Sequence, residues 1–289
     1  MAASATNAFN GTAWRSVRSS IRYWAAEHPP VARFRWDFNT FGASWTFLVA
    51  SVPLYLSLVL LLKLLLSFRK RPVPLGPVPV LHNMVLVVGS AAMFIGCLQA
   101  TVIEIQENRW LWNKKKGLNW LLCFPLGTRS VGRVFFWSYV YYLSKFYELL
   151  DTAILILRKK PLTFLHVFHH STVIVMCFFW LQFTQSLQVI ALLTNTGVHV
   201  AMYTYYLLCS LGLHPPWKKM VTNLQIYQFL FSFVVSLAMM VLHLGGEGCA
   251  GIGAWSFNFG FNIILLMLFA NFHSQQYGNA NGQGKKKRM

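Results

Sequence analysis

Seven apolar runs, at roughly 43–67, 82–103, 131–157, 162–181, 187–210, 219–243 and 253–273, take up most of this 289-residue chain. Each is close to the ~20 residues that a helix needs to cross about 30 Å of hydrocarbon. Backbone polar groups in lipid must be satisfied within the structure itself, and runs of this length do so as helices. The sequence therefore predicts an all-α polytopic membrane protein with seven transmembrane helices. With 56% hydrophobic and 11% charged residues, an ordinary soluble domain is excluded.

The net charge is +18, and the basic residues cluster between the apolar runs, where they mark cytoplasmic loops, anionic lipid or a phosphate-bearing substrate. With seven spans, Arg69 to Arg71, Arg158 to Lys160, Lys218-Lys219 and Lys285 to Arg288 share one side. The connections near 182–186 and 244–252 carry no Lys or Arg. This contrast puts the first set in the cytosol and the amino terminus in the lumen, against the opposing pull of Arg15, Arg18, Arg22, Arg33, Arg35 and Lys114 to Lys116. The arginine-rich start has the look of a mitochondrial transit peptide. The tail Gly284-Lys285-Lys286-Lys287-Arg288-Met289 instead reads as a dilysine address for the endoplasmic reticulum, with the first span as the targeting signal.

Three regions follow: residues 1–42 as an amino-terminal lumenal segment with a sequon at Asn10, 43–273 as the membrane domain, and 274–289 as a cytosolic tail. Pro72, Pro74, Pro77 and Pro79 predict an extended first loop. The connection 104–130 holds a short apolar piece, Leu118 to Phe124, that either dips into the membrane surface or packs over the bundle. The five cysteines fit no metal-binding spacing. Cys97, Cys177 and Cys209 fall in apolar runs as packing residues, while Cys123 and Cys249 both face an oxidising lumen and are expected to pair.

Within these runs lie ionisable groups that hydrocarbon does not tolerate without a purpose. His166, His169 and His170 crowd one side of a single helical turn, about 6–12 Å in from Leu162 at 1.5 Å per residue. Lys145, Glu148, Asp151 and Thr152 lie about 8–18 Å from the end of the third run, and His199 about 15 Å from the end of the fifth. Thr222, Gln225 and Gln228 reach from about 5 to 14 Å deep in the sixth. The levels coincide, which predicts a polar layer in the cytosolic half of the bundle.

Two chemistries suit such histidines. One is a di-iron site of the desaturase and hydroxylase type, with His166, His169 and His170 as ligands. His199 is the only other histidine grouped with them, since His82, His243 and His273 lie near span ends, so the ligand count is too low and no metal is expected. The other is acyl transfer, in which a neutral imidazole attacks a thioester. A transporter or lipid-binding bundle is the non-enzymatic alternative, and it needs no paired histidine motifs.

Lys145-x-x-Glu148-x-x-Asp151-Thr152, His166-x-x-His169-His170, His199-x-x-Met202-Tyr203-x-Tyr205-Tyr206 and Thr222-x-x-Gln225-x-x-Gln228 occur in this order. Over residues 40–275 the chain resembles the very-long-chain fatty acid elongase family, the membrane 3-ketoacyl-CoA synthases, and is similar to its plant members. The resemblance implies seven helices, six of them closed around an acyl-chain tunnel. It also implies condensation of malonyl-CoA with a long-chain acyl-CoA, with no further cofactor. His169 is then the nucleophile and His199 its partner, with His166 and His170 tuning those rings and Asn195 donating to an oxyanion. Glu148 and Asp151 set tautomers or hold Lys145, while Tyr203, Tyr206, Gln225 and Gln228 contact the thioester or pantetheine. Arg158, Lys159, Lys160, Lys218 and Lys219 are candidates for the phosphates of CoA. Expected partners are the two CoA substrates, the bilayer, the other enzymes of the elongation cycle and a second copy of the chain, with no nucleic acid.

Overall fold

The computed structural model describes residues 15–111, 117–246 and 248–278. The Asn10 sequon, Lys114 to Lys116 and the basic tail at 285–288 lie outside them. The principal helices are α1 (Trp45–Ser67), α2 (Val78–Leu111), α3 (Gly117–Leu122), α4 (Arg133–Glu148), α5 (Leu150–Leu157), α6 (Phe164–Gln182), α7 (Gln188–Ser210), α8 (Lys218–Gly245) and α9 (Ile252–His273). Among the described residues there is no strand, and two isolated bridges pair Arg35 with Val131 and Pro125 with Cys249.

Five helices, α1, α2, α6, α8 and α9, are long and apolar enough to cross a membrane. The chain is thus multi-pass, but two of the seven expected runs differ from the rest. The run at 131–157 divides at Leu149 into helices of 16 and 8 residues. There the amides of Leu149 and Thr152 bond to carbonyls three residues back, which tightens the turn. The run at 187–210 forms the unbroken 23-residue α7, but its apolar character is diluted by Asn195, His199 and a row of tyrosines. In the other direction, α2 continues past the predicted end at 103, where Arg133 pairs with Glu107 at 2.8 Å and Glu104 at 3.5 Å.

One end of the bundle is closed by irregular chain. The Trp36 indole donates to Gln182, the Trp137 indole donates to the Ala25 carbonyl, and the Phe124 amide donates to Ser186. Phe124 is fully buried, so of the two options for 104–130 this part of the connection packs over the bundle. Cys123 and Cys249 are joined as a disulfide in the same cap, with Cα atoms 5.1 Å apart. Below the cap, α6 forms the centre of the main core, with Ile174, Cys177 and Phe178 fully buried. Lipid chains are as apolar as the side chains, so helices in a bilayer associate through close packing. At Gly96 of α2 an added Cβ would fall 2.1 Å from the Trp137 ring of α4, so only glycine allows that approach.

Two outcomes follow for the cap. The protein should migrate faster without reductant and resist alkylation at Cys123 and Cys249 until reduced, and Cys249→Ser should cost on the order of 2–5 kcal/mol of stability. Gly251 has φ +71°, and a Cβ there would meet Gln185 Cα at 2.4 Å. Gly251→Ala should therefore lower the melting temperature in detergent by several degrees, while Gly253→Ala, with nothing within 4 Å of its Cβ position, should not.

Candidate active site

At the end away from the cap, the helices enclose a cavity of about 570 Å³. His166, His169 and His170 of α6 line it, with His199 and Asn195 of α7 and Glu148 and Asp151 of the α4–α5 segment. Thr163 caps α6 by accepting from the His166 amide, which starts the helix one turn before the histidines. The ring centroids of His166 and His170 are 4.3 Å apart, and those of His169 and His170 are 5.5 Å apart. The Nδ1 atoms of His169 and His170 are buried without a hydrogen-bond partner.

The deepest charge is Lys145, 1% exposed, which donates to Glu148 at 2.7 Å and lies 4.0 Å over the Tyr141 ring. Lys145, grouped by the sequence with the substrate-contacting residues of the polar layer, is spent on this pair and does not line the cavity. Asp151 does not hold it either. Its two oxygens accept from His82 at 2.9 Å and from the Tyr203 hydroxyl at 3.2 Å. His199 Nδ1 stands 3.8 Å from Glu148, too far for a hydrogen bond. Tyr141 donates to Asn195 Oδ1 at 2.6 Å, which leaves the Asn195 amide N–H groups as donors.

A second chain of hydrogen bonds runs in from α1, from the Tyr55 hydroxyl to Thr152 at 2.9 Å and from Thr152 to His166 Nε2 at 2.9 Å. Tyr203, Tyr206, Gln225 and Gln228 also line the cavity, with Gln225 donating to Met202 Sδ at 3.2 Å. Of the five basic residues expected at the mouth, Arg158 and Lys218 line it. The other three lie outside it. Lys159 instead donates to a carbonyl at the end of α1, that of Leu66. Lys160 is solvent-exposed, and Lys219 faces the Tyr277 ring at 5.8 Å.

The resemblance implied a tunnel through the bundle. The cavity lining goes no deeper than His170 on α6 and Asn195 on α7, and beyond it Ile174, Phe178 and Leu192 are fully buried. Cys177 lies in that packed region and does not reach the cavity. Sequence reasoning missed His82, Asn83, Tyr141 and Tyr55. His82 lies about 6 Å into α2 at 1.5 Å per residue, because the helix begins at Val78, four residues before the expected run at 82, and that expected start left His82 at a span end. Asn83, which donates to Ser210 at 2.8 Å, is its neighbour. Nothing in the local pattern marks Tyr55 or Tyr141, whose roles come from contacts across helices.

The family model described as the GNS1/SUR4 family matches residues 40–287. The "fatty acid elongase 3-like" protein of Arabidopsis thaliana is 39% identical over 267 residues, 90% of this chain and 92% of its own. A putative fatty acid elongase of Dictyostelium discoideum is 35% identical over 89% of this chain and 84% of its own. The human protein called very long chain fatty acid elongase 3 is 36% identical over 59% of this chain and 64% of its own. A match over nearly the whole bundle, with most of the motif residues lining one cavity, makes this multi-pass membrane protein a member of the GNS1/SUR4 family.

Proposed function

We propose that the protein is a condensing enzyme of fatty acid elongation, a very-long-chain 3-oxoacyl-CoA synthase that joins malonyl-CoA to a long-chain acyl-CoA. The observation that carries this is a cavity joining the four motif histidines, His166, His169, His170 and His199, to a basic mouth at Arg158 and Lys218. The names of the relatives point to fatty acid elongation, the process this reaction would serve.

In this reading an imidazole nitrogen of His169 attacks the acyl thioester carbonyl, the C–S bond breaks, and the CoA sulfur leaves with a proton. The acyl-imidazole then meets malonyl-CoA. Loss of CO₂ leaves the bonding pair on the malonyl α-carbon, and that carbon attacks the acyl carbonyl. The C–N bond breaks as the departing imidazole nitrogen regains a proton by way of His199, and a 3-ketoacyl-CoA two carbons longer departs. His199 serves the second acyl or proton transfer. Asn195, with its carbonyl occupied by Tyr141, is set to donate to the developing oxyanion. His166, tied through Thr152, orients its neighbours and is not the nucleophile. Arg158 and Lys218 would meet the phosphates of CoA. The setting is the endoplasmic reticulum membrane, with seven spans, the cavity mouth and carboxyl terminus in the cytosol, and the amino terminus in the lumen.

His169→Ala should abolish condensation in microsomes while the protein still inserts and keeps its melting temperature. Mass spectrometry of trapped wild-type protein should find the acyl group on imidazole nitrogen, and an acyl group on sulfur would overturn the assignment. Lys145→Met leaves Glu148 buried alone and should cost about 3–5 kcal/mol, read as a lower melting temperature. The double variant Lys145→Met/Glu148→Gln should recover part of that loss.

A further inference from the structure

The amino-terminal arginines, which oppose the charge contrast of the later loops, belong to a helical segment at residues 15–27 that the reaction cavity does not use. Its residues fall into two stripes. Val17, Ile21 and Trp24, four and three apart, share one face and are 50%, 40% and 64% exposed. Arg15, Arg18 and Arg22, three and four apart, share another, and Ser19 lies opposite the apolar stripe. Arg22 donates to Glu27 at 2.6 Å, and the side chains of Arg15 and Arg18 are exposed.

Only the carboxyl-terminal end of this segment is tied down. Ala25 and Ala26 are buried, Tyr23–Glu27 packs on α2 and α4, and the Trp137 indole donates to the Ala25 carbonyl at 2.8 Å. Trp137 lies one turn, about 6 Å, along α4 from Arg133. Arg133 pairs with Glu104 and with Glu107, which is 57% exposed, so these charges mark the rim of the bundle and Ala25 sits close to headgroup depth.

From Ala25 the helix extends about 15 Å to Arg15 at 1.5 Å per residue. A course inward would carry three arginines into hydrocarbon. A course outward would leave Val17, Ile21 and Trp24 facing water. A course along the bilayer surface gives each stripe a suitable medium. We propose that residues 15–27 are an in-plane anchor on the bilayer surface at the capped end, with Val17, Ile21 and Trp24 turned to the acyl chains and Arg15 and Arg18 bonded to phospholipid phosphates. Trp24 carries an indole, the ring that favours the membrane–water boundary. Charge complementarity selects lipid over a second copy of the chain as the occupant. Residues 15–22 hold three arginines and no acid, so two such helices repel, whereas phosphates match them. The anchor stands whatever reaction the cavity performs.

The test uses the full-length protein in phospholipid nanodiscs, spin-labelled at Val17→Cys, Ile21→Cys or Ser19→Cys in a Cys209→Ser background. No reductant is present, so the Cys123–Cys249 disulfide stays closed. The labelled side chains are exposed, and melting temperatures should match that of the unlabelled chain. At positions 17 and 21 the label should collide severalfold more with oxygen, which concentrates in lipid, than with a water-soluble nickel chelate, and at position 19 the preference should reverse. Equal nickel collisions at all three positions would place the helix in water and overturn the proposal. Dipolar broadening that disappears on dilution with unlabelled protein would assign the apolar stripe to a second copy and would also overturn it. Arg15→Gln/Arg18→Gln should raise nickel collisions at position 21 severalfold as the helix loosens from the surface, and an unchanged value would overturn the phosphate contacts.

Discussion

Lys145 and Glu148, exposed by only 1% and 2%, face each other at 2.7 Å in the middle of a helical bundle. Neither charge is tolerable alone in that setting, because removing an ion from water costs several kcal/mol unless a partner and further hydrogen bonds compensate. The rest of the polar layer is arranged around this pair. Tyr141 puts its ring beneath the ammonium and its hydroxyl on Asn195, and the Glu148 oxygen that accepts from the lysine also stands 3.8 Å from His199. One turn on, Asp151 collects His82 and Tyr203 from α2 and α7. Groups that would separately oppose insertion thus hold α2, α4, α5 and α7 at fixed rotations about their axes.

Much of this layer was legible in the sequence, since helical spacing alone decides which residues share a face. Lys145 and Glu148 fall three apart and do bond, and His166 and His170, four apart, bring their rings together. The depth of each set followed from counting residues at a fixed rise. Partner choice between helices was not legible. Spacing could not tell whether Glu148 or Asp151 would take the lysine, and it could not bring Tyr55 to Thr152 from a sequence distance of 97 residues. Nor could it foresee that Lys159 would turn back to cap α1. The same polar residues blurred the count of crossings, because the helices richest in them are the ones that depart from the simple apolar pattern.

The two ends of the bundle differ in how they are held. At the cap, a disulfide, indole hydrogen bonds and fully buried rings such as Phe124 and Phe178 bind connections to helices. At the other end the polar groups face an open cavity, with hydrogen bonds in place of close packing. Cohesion is concentrated on one side of the histidines and room on the other, the distribution that lets a bulky molecule be accepted without loosening the whole assembly.

Thr152 stands between Tyr55 and His166, within 2.9 Å of each, and α1 otherwise shows most of its surface to the surroundings. Two hydrogen bonds thus run from a phenol on α1 to Nε2 of the first imidazole of the cluster, and among the described residues Tyr55 has no other hydrogen-bond partner. A peripheral helix, through one phenol, restrains how that ring is turned.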